Sequence, residues 1–221
     1  FGPRPLGVYS DCQTGPEKAF GEELSLRFPV SLHIVGQGGS GLAVDWCPLA
    51  PVGPTRALTA RSIQSLQQVF PEQRPVAIVG PGYERDCLLG RAQEYLDTVR
   101  LFVERVREYS PGTQVLFRLP HPEQTPELRS QLDIVYAGLL YNKDITCVDW
   151  SCVPLADQQH PTNEGYQLLG KTVAEKVSTP EGLSLCNGVT QLLKPAIVPW
   201  GSCPESLLRG RWMMQANLNP M

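Results

Sequence analysis

"PVAIVG", residues 75–80, decides how this chain is read. Its apolar residues run together instead of alternating with polar ones. A short run of that kind suits a strand covered on both faces, and such strands belong to parallel sheets with helices on either side. The flanking segments agree. Upstream, "TRALTARSIQSLQQVF" (55–70) brings Leu58, Ile63, Leu66 and Val69 near one helical face. Downstream, "GRAQEYLDTVRLFVERVREY" (90–109) gathers Leu96, Val99, Phe102, Val103 and Val106 into a broad apolar stripe with charges opposite.

The same alternation runs through most of the chain. Further strand-like runs are "PLGVYS" (5–10), "VSLHIV" (30–35), "TQVLFRL" (113–119) and "DITCVDW" (144–150). Helical patterns fill the gaps at 16–28, 126–141 and 162–177. The order β-α-β-α-β-α-β-α-β-α predicts an α/β protein: a three-layer α/β/α sandwich on a flavodoxin-like five-stranded parallel sheet, order 2-1-3-4-5. Ligands in such folds bind beyond the carboxyl ends of the strands. From about residue 179 the pattern breaks into scattered Pro and Gly. We therefore divide the chain into a domain over 1–178 and an irregular C-terminal extension over 179–221, packed on that core or on a partner. Trp200, Trp212, Met213 and Met214 in the extension are the candidate surface for a protein partner.

Composition narrows the function. With 19 basic and 22 acidic residues the net charge is −3, without the basic footprint that nucleic acid requires. No apolar run approaches the roughly 18 residues needed to span a bilayer. The chain starts at Phe1, so a processed chain or a missing start is expected, and the compartment stays open. Seven cysteines (Cys12, Cys47, Cys87, Cys147, Cys152, Cys186, Cys203) allow two readings. Either Cys12 is free and the other six pair, or most are buried thiols that pack as small hydrophobes. The three histidines, His33, His121 and His160, are dispersed and there is no C-x-x-C, so neither a metal nor another cofactor is expected.

Residues 36–41, "GQGGSG", fit G-x-G-x-x-G and follow a strand. The dinucleotide fingerprint also needs a helix opening at the third glycine and an acid about 20 residues on. Here "LAVDWCPLAPVGP" follows, with prolines that oppose a helix, and no acid lies between Asp45 and Glu72. A nucleotide is not the expected ligand.

A second constellation carries more chemistry. "LADQQHPTNEGYQLLG" places Asp157 and His160 just before a helix. The D-x-x-H spacing lets a carboxylate orient an imidazole from the same loop, and the other ring nitrogen can then face a nucleophile. Cys12, in "VYSDCQTG" (8–15), follows the first strand-like run, where a nucleophile would sit. On these motifs, residues 5–177 resemble the SGNH (GDSL) hydrolases. Ser10-Asp11-Cys12 matches that family's G-D-S block, with cysteine at the nucleophile. Gly41 falls on its oxyanion glycine, with Gly36 where asparagine is usual. Gly82, in "VGPGYERD", falls near its oxyanion asparagine. Asp157, His160 and Pro161 match the last block.

The resemblance implies a Cys12–His160–Asp157 triad with an oxyanion site from the N–H groups of Cys12 and Gly41 and, in part, Gly82. It also implies a small acyl-ester ligand in the cleft. The altered letters at Ser10, Cys12 and Gly82 favour a catalytically degenerate member serving as a structural or accessory subunit of a larger assembly. The alternative is an active hydrolase of esters or thioesters, since a thiol beside an imidazole can form a nucleophilic thiolate.

Overall fold

The computed structural model describes residues 16–27, 30–36, 40–48, 58–69, 71–72, 74–177 and 212–218. The strand-like run at 5–10, Cys12, Trp200, Cys186 and Cys203 lie outside the described residues. The elements are α1 (Pro16–Ser25), β1 (Val30–Gly36), α2 (Leu58–Val69), β2 (Ala77–Val79), α3 (Glu84–Leu88), α4 (Ala92–Tyr109), β3 (Gln114–Arg118), α5 (Arg129–Leu140), β4 (Thr146–Val148), α6 (Asn163–Val177) and β5 (Trp212–Leu218). A 3-10 turn, Pro126–Leu128, leads into α5.

The continuous apolar strands serve two faces at once. In β2, Ile78 packs with one core while Ala77 and Val79 pack with another. In β3, Val115 and Phe117 join the first core and Leu116 the second. Successive side chains of a strand point to opposite faces, so both faces must be covered to bury them all. The first core is closed by Val99, Phe102, Val103 and Val106 of α4 with Leu132, Val135 and Leu139 of α5. The second is closed by Phe20 and Leu24 of α1 with Leu169, Val173 and Val177 of α6. Four of the five stripe residues read in α4 are fully buried, and Leu96 packs at the margin of the same core.

The protein is thus a mixed α/β structure with helices on both faces of its sheet. β2, β3 and β4 form a three-stranded parallel unit, with Ala77 opposite Gln114 and Leu116 opposite Thr146. The full order is β1-β5-β2-β3-β4, not the all-parallel 2-1-3-4-5 expected. β5 enters from the C-terminal region and runs antiparallel to both neighbours, with Val30 opposite Leu218 and Val79 opposite Met214. It fills the slot between β1 and β2 that the expected order assigns to residues 5–10.

The extension is therefore not irregular throughout. Trp212, Met213 and Met214, expected to face a partner, belong to a sheet strand, and Met214 pairs on both sides. "WMMQANL" lacks the β-branched density of the other strands. Backbone pairing, satisfied from two neighbours, makes it a strand.

Two smaller differences concern the segment after β2 and the cysteines. α3 was not expected. It ends at Gly90, whose φ of +67° supplies the left-handed turn into α4. Cys47, Cys87, Cys147 and Cys152 are free thiols, so the pairing of six cysteines does not hold. Cys87 is buried in the α4–α5 core. The Cys147 thiol donates to the Leu139 carbonyl (3.3 Å). No helix among the described residues is long and apolar enough to cross a membrane.

Candidate functional site

The loop between β4 and α6 is built to present a histidine. Its ends are tied together by Ala156 N–H to the His160 carbonyl (2.7 Å) and Thr162 N–H to the Pro154 carbonyl (2.9 Å). Thr162 then caps α6, its Oγ1 accepting from Gly165 N–H (2.9 Å). The cap fixes where the helix begins and so where the preceding histidine stands. Gly165 permits the closure. A Cβ there would lie 2.4 Å from the Pro154 carbonyl oxygen.

Inside this loop one carboxylate does two jobs. Asp157 Oδ1 accepts the backbone N–H groups of Gln159 (2.6 Å) and His160 (2.7 Å). Its Oδ2 accepts from His160 Nδ1 at 2.8 Å. That bond assigns the proton to Nδ1 and leaves Nε2 as the basic ring nitrogen. Partial burial pushes the Asp157 carboxyl up. The His160 ring and the two backbone N–H groups pull it down further, so its pKa lies below the ordinary 3.8 and it is ionised at neutral pH. His160 is half-buried and its loop neighbour Asp157 exposed.

His160 lines a cleft of about 70 Å³ at the carboxyl ends of β2 and β3. Gly80, Pro81, Gly82 and Glu84 form the wall beyond β2, and Arg118, the last residue of β3, reaches in from the next strand. Pro16 and Tyr166 complete it from α1 and α6. The position is the one that α/β topology favours for ligands.

The expected site residues separate into three groups. Asp157 and His160 are joined as expected, and Gly82 lines the same cleft as His160. Gly41 stands differently, because its N–H donates to Asp45 Oδ2 (2.9 Å) within its own turn. The glycine-rich stretch leads into turns over 42–46, not a helix. That loop is anchored from below by Asp86, whose Oδ2 accepts Leu42 N–H (2.7 Å) and Ala43 N–H (3.3 Å). Burial pushes the Asp86 carboxyl up to about 6 against the pull of those two N–H groups. Cys12 lies outside the described residues.

Sequence reasoning passed over Glu84 and Arg118. They form an ion pair at 3.3 Å, with only 12% and 21% of their side chains exposed. Arg118 also stacks over the buried Trp150 ring, 5.1 Å from its centroid. The signal available was modest: one charged residue closing the apolar run "TQVLFRL", and another in the glycine-proline turn "VGPGYERD". His121, in contrast, is a structural histidine. Its Nδ1 accepts from Glu123 N–H (3.2 Å), which puts the ring proton on Nε2 and directs it to the Val153 carbonyl (3.1 Å).

No protein-family model matches the chain, and no curated protein matches it. Among solved structures it is similar to a protein from Arabidopsis thaliana determined by X-ray diffraction. The TM-score is 0.61 at 19% identity, covering 81% of this chain and 72% of that one. A likeness at that identity speaks to the fold alone.

Proposed function

We propose that the protein is an SGNH-type acyl hydrolase acting on small esters or thioesters, with His160 as general base and acid, Asp157 as its orienting carboxylate and Cys12 as nucleophile. The flavodoxin-like frame belongs to the same reading. β1, β2, β3 and β4 run in one direction, and β5 stands in the slot beside β2. The observation that carries the proposal is the 2.8 Å bond from His160 Nδ1 to Asp157 Oδ2 at the rim of a cleft. The cleft admits a group of a few heavy atoms, which favours a short acyl chain.

The reaction follows from these roles. His160 Nε2 takes the Cys12 thiol proton, and the sulfur bonds to the substrate carbonyl carbon as the C=O electron pair moves onto oxygen. Collapse restores C=O, breaks the bond to the alkoxide or thiolate leaving group, and returns the proton from Nε2 to it. Water then attacks the acyl-cysteine, with its proton going to His160. The second collapse frees the acid, and the Cys12 sulfur regains a proton.

A structural or accessory role without turnover is the second reading. It is favoured by the Gly41 N–H, which is bonded to Asp45 instead of facing the cleft. The test is hydrolysis of nitrophenyl and thioester substrates of increasing acyl length by wild type and His160→Ala. Turnover that falls at least 10²-fold in His160→Ala supports the hydrolase. Turnover that is absent, or indifferent to His160, supports the second reading.

A further inference from the structure

The cleft wall poses a question that the His160–Asp157 pair does not answer. An acyl transfer needs hydrogen-bond donors aimed at the oxygen that becomes negative, and each is worth several kcal/mol of barrier. Gly82 offers no side chain, and the Gly41 N–H is bonded to Asp45. The space that a side chain at position 82 would take is filled from elsewhere. A Cβ on Gly82 would lie 2.1 Å from Glu84 Oε2 and 2.9 Å from Arg118 Nη2. The Glu84 carboxylate takes the nearer part of that space, and the Arg118 guanidinium, 36 positions on in the chain, stands beside it at the same point of the wall.

We propose that Arg118 is the oxyanion donor of this site, replacing the side chain that Gly82 lacks. The inference rests on the hydrolase reading and deepens it. Three observations carry it. Among the described residues Arg118 is the one lysine or arginine lining the cleft, which it shares with His160. A guanidinium carries five N–H donors, and the hydrogen bond to Glu84 at 3.3 Å engages Nη2. The side chain is held in place, by Glu84 on one side and the Trp150 ring on the other, so its donors need little reorganisation when charge develops.

Glu84 has a second consequence. It balances the arginine charge, so the cleft does not hold a permanent anion strongly. A neutral ester suits it, because its carbonyl oxygen gains charge only as the sulfur–carbon bond forms. Arg118 donates hydrogen bonds to that oxygen and transfers no proton. Substrates are therefore neutral esters and thioesters, in preference to those carrying a carboxylate or phosphate on the acyl side.

The test uses the full chain and p-nitrophenyl acetate, with wild type, His160→Ala, Arg118→Ala, Arg118→Gln and Arg118→Lys compared. The expected result is a loss of about 10²–10³ in kcat for Arg118→Ala and Arg118→Gln, with KM changed less than threefold. Arg118→Lys should be intermediate, and added guanidinium ion should restore part of the Arg118→Ala rate. Thermal melts of each variant separate loss of fold from loss of chemistry, and guanidinium rescue is a response that misfolding would not give. Turnover that needs His160 but continues at the wild-type rate in Arg118→Gln overturns the role of Arg118 and leaves the hydrolase standing. A fall carried by KM alone, with kcat unchanged, also overturns it. Wild type with no His160-dependent turnover overturns both.

Discussion

Glu17 offers a sharp test of the described core. It sits in the first turn of α1, is 2% exposed, and among the described residues no donor meets either carboxylate oxygen in hydrogen-bond geometry. Burial pushes its pKa from the ordinary 4.5 up to about 8. The folded protein therefore holds Glu17 protonated at neutral pH, whereas the unfolded chain releases that proton above pH 4.5. The sign follows from proton counting. Between those two values the folded state binds more protons, so this group lowers stability as pH rises. Below the unfolded value its contribution is complete, and above the folded value it is lost. The slope approaches 1.4 kcal/mol per pH unit, which amounts to about 2.5 kcal/mol between pH 5 and pH 7. Glu17→Gln keeps the shape and removes the titration. Denaturant unfolding of both proteins at pH 5, 6, 7 and 8 should show the variant gaining on wild type at each step. The gain should reach about 2 kcal/mol or more by pH 7, relative to pH 5. A difference constant to within about 0.5 kcal/mol across that range would refute the reasoning, because a carboxyl buried in this way cannot be indifferent to pH.

Three further outcomes are expected. Asp157→Asn keeps an oxygen for the Gln159 and His160 backbone N–H groups but presents N–H to His160 Nδ1, which moves the ring proton to Nε2. Hydrolysis of p-nitrophenyl acetate should fall on the order of 10³–10⁴-fold with the melting temperature nearly unchanged, and an unimpaired rate would remove Asp157 from the mechanism. Gly170→Ala places a methyl 2.2 Å from the Pro16 carbonyl oxygen and 2.7 Å from Phe20 N, forcing α1 off α6. Chemical denaturation should register a loss of about 1–3 kcal/mol, and a loss under about 0.5 kcal/mol would mean that the two helices are not in this contact. Brief iodoacetamide treatment followed by peptide mass mapping should label exposed Cys152 well before Cys87, whose thiol burial pushes up to about 12. Labelling Cys87 as fast as Cys152 would contradict the packing of the α4–α5 core.

Sequence alone was enough for α2, β2, α4, β3, α5, β4 and α6, because their apolar periodicities are strong and local, but not for the short α3. The sequence also marked the Asp157–His160 pair, since both members lie in one loop and the spacing alone brings them within reach. What depended on contacts between distant segments was invisible to it. The partner of the Gly41 N–H is a short-range turn contact, but Asp86, which anchors that loop, comes from 44 residues away. Arg118 read as the polar end of a strand until β3 was laid beside β2, which brought its guanidinium to Gly82 and Glu84. β5 is the extreme case. Its residues carry little strand propensity, and only two flanking strands with unpaired backbone groups make Trp212–Leu218 part of the sheet. Local pattern writes the elements, because side-chain burial repeats with the period of the backbone. The order of the strands and the charged wall of the cleft come from tertiary structure, because pairing and desolvation are properties of neighbours that the chain order does not name.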